Sequence, residues 1–527
     1  MTDSTTVVTG HGANGRDGFR HLVHAEWTKF RTVRGWVAGM AVGVALVVAL
    51  GLMSAAGSHA SCGMGDVETA CTLTTGPGGE AVSDRFFFVH RRLDGDGSIT
   101  VRVDSMTGQI RLPDATPGVR NVVAGVVPWA KAGIMVKDGV REGASYAAVM
   151  VTARHGVRMQ HDFTEDVAGG PGGVSPGSPR WLRLTRSGGT LTGYESDDGR
   201  RWIVVGTARP ARLPATVEAG MFVASPGDLT VSRGNLGGAS VQVRFTEATA
   251  VFDQVRLEGR VEGRTGGTWS HDDVGVAYEP GGRTPHHPGR FTESGGTFTI
   301  TGVGDVAPST EGMRIESTLS GQAAGLVAVM VVAVLFVTAE HRRGLFRTTL
   351  LAAPRRGRAF AAKTVVIGAV AFAAGLTAAA LTVPLGARIL RANGNAVLPV
   401  STFTELRVVA GVAALTAAVA VLALACGALV RRGAAAVTVV AGLVVVPHIL
   451  ATASVLPLGV ARWLLRLTPA AGFAVQQSVP EYAQVLGYYS PQGGYYPLPP
   501  LAGLAVLCGY AALAAVLAAV RMSRADA

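Results

Sequence analysis

Six stretches of this 527-residue chain carry no charged residue over a length near that needed to cross a bilayer, which takes about 20 apolar residues. They run from Trp36 to Ala56, Ala323 to Ala339, Thr364 to Ala387, Val408 to Val430, Gly433 to Leu458 and Leu498 to Val520. In lipid every backbone N–H and C=O must find its partner inside the protein, so stretches of this kind fold as helices. The second is short for a span. The fifth contains Pro447 and His448, where a kink or a break is expected. Only 16% of the chain is charged, against about 25% in an ordinary globular protein. A disordered chain, a disulfide scaffold and a purely cytosolic globule are excluded.

The net charge of +11 is distributed unevenly. Residues 60–320 sum to −3 and the remainder to +14. The basic excess therefore flanks the apolar stretches, as membrane topology requires, and argues against a nucleic-acid partner. With the N-terminus inside, sixteen Lys and Arg of the membrane part fall on the cytoplasmic side and five on the outer side (Arg388, Arg391, Arg407, Arg462, Arg466). The expected protein is a multi-pass protein of the cytoplasmic membrane with both termini cytoplasmic. The polar lead of 35 residues favours a retained first helix over a cleaved signal peptide, and Ser61-Cys62 lacks the context of a lipidation site.

Residues 60–318 have a different character. Gly-rich turns separate short alternating runs, the pattern of an all-β domain. Ile99, Val101 and Val103 alternate with polar residues, as do Val241, Val243 and Phe245. Hairpins are predicted to turn at Gly188-Gly189, Asp198-Gly199 and His155-Gly156. Cys62 and Cys71 lie just beyond the first span in an oxidising compartment, so a disulfide between them is expected, with two free thiols as the alternative. Cys426 and Cys508 lie within spans and read as packing residues.

The run Phe86-Phe-Phe-Val-His-Arg-Arg-Leu-Asp-Gly-Asp-Gly-Ser-Ile-Thr-Val-Arg-Val103 is followed by Trp129–Met135, the hairpin ending in Gly193-Tyr194, Ser196–Gly199 with Trp202, and Phe252–Leu257. This succession resembles the concanavalin/laminin-G-like jelly rolls. The resemblance implies an extracytoplasmic jelly-roll sandwich between the first two spans and, by analogy alone, a glycan ligand.

Several motifs suggest chemistry and are better explained otherwise. Gly357–Thr364 has the outline of a phosphate loop but lacks the Gly before Lys363 and leads into a membrane span. Asp94-Gly-Asp96-Gly-Ser98 begins like a calcium loop, yet Ile99 stands where the Gly belongs, so a turn between strands is expected. His286-His287 sits between prolines without further ligands. Glu165-Asp166 and Glu195, Asp197 and Asp198 are carboxylate pairs placed in predicted turns. No metal, cofactor or catalytic group is assigned, and the chain is not read as an enzyme.

Two basic segments are more informative. In residues 1–35, Phe19, Leu22, Val23, Trp27 and Phe30 recur at helical spacing, describing an amphipathic helix lying in the membrane interface. In residues 340–363, Glu340 needs a cationic partner at the boundary, with Arg342, Arg343 and Arg347 as candidates. Leu345 to Ala353 is expected to form a short helix that stops before Pro354.

Ala25-Glu-Trp-Thr-Lys-Phe-Arg-Thr-Val-Arg34, Glu340-His-Arg-Arg-Gly with Arg347-Thr-Thr, Ala353-Pro-Arg-Arg-Gly-Arg358 and Arg462–Ala470 together resemble the permeases of bacterial type-2 ABC exporters. The resemblance covers residues 20–56 and 323–527. It implies a six-span permease half that pairs with a second copy or homologue and with a cytoplasmic ATP-binding subunit. Glu26, Trp27, Lys29, Phe30, Arg31 and Arg34 would form the interfacial helix. Glu340, Arg342, Arg343, Gly344, Leu345, Phe346 and Arg347 would couple to the ATPase. Leu464 to Val479 would be a re-entrant or interfacial element on the outer side. The first outer loop is far longer than usual in that family, leaving the exported molecule open among drug, lipid and glycan-like classes. The rival reading is a membrane-anchored, lectin-like binding or sensory protein of the cell envelope.

Overall fold

The computed structural model describes residues 17–62, 71–113, 121–233, 239–261, 268–275, 277–278, 285–286, 288–342 and 356–524. Among these the chain forms eight α-helices: α1 (Asp17–Thr32), α2 (Arg34–Ala56), α3 (Gln322–Arg342), α4 (Arg356–Ala392), α5 (Thr402–Val430), α6 (Gly433–Thr452), α7 (Leu458–Leu467) and α8 (Pro500–Arg524). Six of them, α2 to α6 and α8, are long and apolar enough to cross a membrane.

Central to the bundle is α5, whose Val412, Leu415, Val419, Ala423 and Leu424 are all buried. Small residues let the neighbours approach closely. At Gly51 of α2 an added Cβ would stand 2.2 Å from the Thr318 carbonyl and 2.6 Å from Thr382 Cγ2, so only glycine fits this contact. The apolar side chains Val42, Met53, Val446, Ile449, Leu513 and Val516 face outward, as lipid-facing positions should.

Two expectations about the spans need correction. Pro447 does not break α6, which is continuous through Gly433–Thr452 and ends six residues short of Leu458. A proline costs one helical hydrogen bond, and α6 stays continuous without it. The third span is a 37-residue helix that starts at Arg356. At about 1.5 Å per residue it is far longer than a bilayer core.

Between α2 and α3 in the chain lie the β-strands, from Val82–Asp84 to Val306–Pro308. Fourteen of them join one antiparallel sheet that curls into a barrel-like domain. Its axis is a single strand, Phe86–Arg111, of 26 residues. The first part of this strand pairs with Thr216–Ala224, and the second pairs with Arg180–Ser187 and Thr246–Val261. Ile99, Val101 and Val103 point into the main core with Ile134, Val149 and Leu182. The expected turn at Asp94–Ser98 is absent. Gly95, at φ +70°, bends the strand without ending it, and pairing resumes on both sides. The predicted hairpin turns lie at Gly156, Gly188 and Gly199, all at positive φ. Val241 and Val243 form a hairpin with Asp228–Arg233, yet both are exposed and take no part in the core.

Cys62 and Cys71 are joined by a disulfide, with Cα atoms 4.9 Å apart. On the other face of the sheet lies a second, aromatic core containing Phe86, Phe88, Tyr146, Phe163 and Phe222. At its edge His90 stacks on Phe88 and places its ring nitrogens 2.7 Å from Glu218 and 2.9 Å from Asp272. Burial disfavours the imidazolium, but the hydrogen bonds to Glu218 and Asp272 outweigh it and raise the His90 pKa above the ordinary 6.5. A raised folded-state pKa adds stability that is complete below the unfolded value and fades as pH rises through the folded one. The β domain should therefore melt at progressively lower temperature as pH climbs above 6.5. In His90→Gln that slope should flatten, as read by near-UV circular dichroism; an unchanged slope would assign it elsewhere.

Candidate functional site

The two ends of the bundle carry different chemistry. One end gathers α1, the start of α4, the α5–α6 junction and the end of α8, where Arg521 donates to the Leu429 carbonyl at 2.5 Å. The other end carries the β domain and the loops after α4 and α6.

At the first end the sequence Glu26-Trp-Thr-Lys-Phe folds as one turn of α1 and divides its residues between two sides. Trp27 is exposed, while Glu26 and Phe30 are buried. Glu26 is held by two lysines, Lys363 Nζ at 2.6 Å and Lys29 Nζ at 2.8 Å. Lys363 lies on α4, and its ammonium also sits over the Phe336 ring of α3 at 4.7 Å. Phe30, Trp36 and Phe336 pack edge-on and stacked around the pair, with Trp36 and Phe336 centroids 5.0 Å apart. Four elements thus meet on one carboxylate. Removing water strengthens the attraction between the charges, and it also makes either charge costly without the other. The phosphate-loop-like Gly357–Thr364 is plain helix, and its lysine is committed to Glu26.

The residues expected in the interfacial helix divide between a buried and an exposed side. Glu26, Lys29 and Phe30 come together in this cluster, whereas Arg31 and Arg34 are exposed. Lys363 was missed as a site residue, because nothing local links it to a carboxylate 337 positions away. Of the coupling residues, Glu340 and Arg342 fall within α3 by backbone, while their side chains, together with Arg343, Gly344, Leu345, Phe346 and Arg347, lie outside the described residues. The expected helix Leu345–Ala353 lies outside them too.

At the opposite end lies Leu464–Val479, which spans the end of α7 and a buried 3₁₀ segment. Helix α7 is amphipathic, with Val460, Trp463 and Leu467 exposed and Ala461 and Leu465 buried. It is followed by the 3₁₀ segment Pro469–Gln476, in which every residue is buried. This short segment is wedged among α5, α6 and α8. Phe473 stacks on His448 of α6 at 3.7 Å. Arg407 of α5 donates to the Val475 and Gln477 carbonyls at 3.1 and 2.6 Å, satisfying groups the 3₁₀ turn leaves open.

Directly beside it, Glu316 accepts from Ser478 Oγ at 2.5 Å and from Ser478 N at 3.2 Å. Burial pushes the Glu316 carboxyl above its ordinary range. Arg314 lies over the Tyr495 ring at 4.1 Å. Tyr489 donates to the Tyr482 carbonyl at 3.0 Å, and burial pushes its phenol up to about 12. A cleft of about 360 Å³ opens between the β domain and this end, lined by Glu80, Ser309, Leu398, Thr404, Ser478 and Tyr482 among others. Nothing in the sequence pattern pointed to this junction, although its density of Tyr between 482 and 496 was a visible signal.

Three of the five carboxylates weighed as catalytic pairs hold structural contacts. Asp166 binds Arg158 and Gln160, Glu195 accepts from Gly170 N at 2.5 Å, and Asp198 caps the turn at Arg200 and Arg201. Among the described residues no cluster of His, Cys, Asp and Glu is placed to hold a metal.

No protein family matches the chain, and no curated protein does. Solved structures match part of it at low likeness. A functionally unknown protein from Saccharomyces cerevisiae is 16% identical, over 36% of this chain and 84% of its own, with a TM-score of 0.19. Scytalido-glutamic peptidase, with a peptide-based transition state analog and with a transition state analog inhibitor, is 7% and 8% identical. Each covers 41% of this chain and 98% of the peptidase, with TM-scores of 0.23 and 0.24. Likeness at this level carries no argument about what the chain does.

Breaking a buried ion pair by removing one partner costs about 3–5 kcal/mol. Glu26→Gln and Lys363→Met should each lower the thermal stability of the detergent-solubilised protein by that order. The pair of changes together should cost less than their sum, giving a positive coupling in a double-mutant cycle. Additive losses would mean that the two side chains do not act together.

Proposed function

We propose that the chain is the membrane permease subunit of an ATP-driven exporter of the ABC type, working beside a second permease copy and a cytoplasmic ATP-binding subunit. One observation carries this reading. The Glu26–Lys363 pair fastens α1 to the first turns of α4, immediately after the basic segment 343–355. A push on that segment would be delivered through Lys363 to α1, and through Phe336 to α3, without first bending any helix. A protein that uses its helices only as an anchor has no need of such a linkage, and one span would be enough.

The sixteen-to-five distribution of Lys and Arg supports placing the α1 end in the cytoplasm. The β domain, read here as a concanavalin/laminin-G-like jelly roll between the first two spans, would then lie outside. The disulfide Cys62–Cys71 agrees with an oxidising compartment. Inside the bundle, the void lined by Gly43, Gln322, Gly375 and Thr416 has room for about 10 Å³, one water at most. The exported molecule would accordingly move between two permease copies. Export is conformational: the ATP-bound subunit binds one arrangement of the α1–α4 unit better than the other and so shifts their populations. The substrate is of the drug, lipid or glycan-like class.

Reversing charge at Arg343 and Arg347 together should abolish co-purification with the ATP-binding subunit while leaving membrane insertion intact. Undiminished co-purification would remove these residues from the interface. A wild-type protein that captures no ATP-binding subunit would favour the lectin-like anchored reading instead.

A further inference from the structure

The aromatic core of the β domain is sealed by a two-stranded ribbon, Val82–Asp84 against Val306–Pro308. The chain comes into the domain through the first of these strands and leaves toward α3 through the second. Beneath the ribbon runs the strand Lys131–Lys137, which begins and ends with a lysine. Lys137 Nζ is 2.6 Å from Asp84 Oδ2, and both side chains are fully buried. The rings of Phe86, Tyr146 and Phe163 lie 5.9, 5.6 and 5.7 Å from this nitrogen. Asp84 Oδ2 also accepts from Gly143 N at 2.8 Å, and Lys137 donates to the Ala144 carbonyl at 3.1 Å. Asp84 Oδ1 and the Tyr146 hydroxyl have no hydrogen-bond partner.

A charge pair so enclosed has lost its water on all sides, which favours transfer of the proton from nitrogen to oxygen. Burial independently pushes the Asp84 carboxyl above its ordinary range. The result is a lysine nitrogen held against a carboxyl group in a dry aromatic pocket. Lysine matters here. The chain has 43 arginines and four lysines, and a guanidinium, which stays protonated, has no free amine to offer.

We propose that Lys137 and Asp84 condense to an intramolecular amide that cross-links the first strand of the β domain to its sheet. After proton transfer the Nζ lone pair attacks Asp84 Cγ and forms the N–C bond. The Cγ–Oδ2 bond then breaks, and the oxygen leaves as water with the proton it gained and one more from nitrogen. One hydrogen stays on the amide, so an ammonium and a carboxylate become an amide and one water, with no oxidant or co-reactant. The Tyr146 hydroxyl, buried and without a hydrogen-bond partner, belongs to the same aromatic pocket.

The other lysine of the strand makes a similar contact, Lys131 Nζ to Asp305 Oδ1 at 2.5 Å, but differs in chemistry. The Asp305 side chain is 13% exposed, and the same oxygen accepts from Val306 N at 2.8 Å. Water reaches this carboxyl and a backbone N–H occupies the same oxygen, so the pair lacks the dry enclosure of the first. The cross-link would hold the stem of the domain closed against any pull between the domain and α2.

The test is mass spectrometry of the full-length protein, purified in detergent, reduced, denatured and digested with trypsin. The expected product joins the peptides containing Asp84 and Lys137, lighter than their sum by one water, with no cleavage after Lys137. Lys137→Arg and Asp84→Ala should each give two linear peptides. Cleavage after Lys137 in the wild-type protein, with both peptides linear at their unmodified masses, would overturn the proposal, and so would a cross-link at Lys131 instead. The wild-type digest decides by itself, whether or not either variant folds.

Discussion

A lysine taken out of water has to meet a carboxylate, and much of this molecule is organised around that demand. Three of its four lysines are buried, and each ends on an Asp or Glu: Lys363 on Glu26, Lys137 on Asp84 and Lys131 on Asp305. Such pairs are poor sources of net stability, since desolvation offsets most of the attraction, but they discriminate strongly against any arrangement that separates the partners. In each case the partners come from distant parts of the chain. The contacts therefore fix how elements sit relative to one another, which apolar packing against lipid does weakly.

The same logic describes how the β domain meets the helices. It is seated on them, beyond being tethered through its two connections. Ala81, Leu398 and Val479 share a small apolar cluster. Met313 and Val397 form a parallel bridge, and Gln484 donates to the Thr164 carbonyl of the domain at 3.2 Å. Glu316, just before α3, is bonded to Ser478, just after the buried 3₁₀ segment. A movement of that segment would be felt at the foot of the domain through Glu316 and Gln484.

What could be read from the sequence follows from how local each signal is. Hydropathy needs only one window, so the six apolar helices were visible, with errors confined to their ends. Glycine at a turn carries its own conformational reason, so the hairpins at Gly156, Gly188 and Gly199 were visible too. The same signal misled at Gly95, where positive φ bends a strand held by neighbours on both edges. Pro447 misled likewise, because the cost of a proline in a helix is set by what packs around it. Glu26 was noticed as part of an interfacial helix and Lys363 within a rejected phosphate-loop outline, neither as the partner of the other. Their pairing is a property of three dimensions, and no spacing rule reaches across 337 positions.

The position of the Glu26–Lys363 pair also limits what kind of device the bundle is. Helix α4 starts at Arg356 and has 37 residues, so Lys363 lies about two turns from its start, directly before the uncharged run that begins at Thr364. There the pair is sheltered by Phe30, Trp36 and Phe336. At the far end of α4, Asn393 is bonded to the Ala55 and Ala56 carbonyls at the end of α2. Helices α2 and α4 are thus linked at both ends, by α1 and the ion pair on one side and by Asn393 on the other. Arg407 in turn holds the buried 3₁₀ segment against α5.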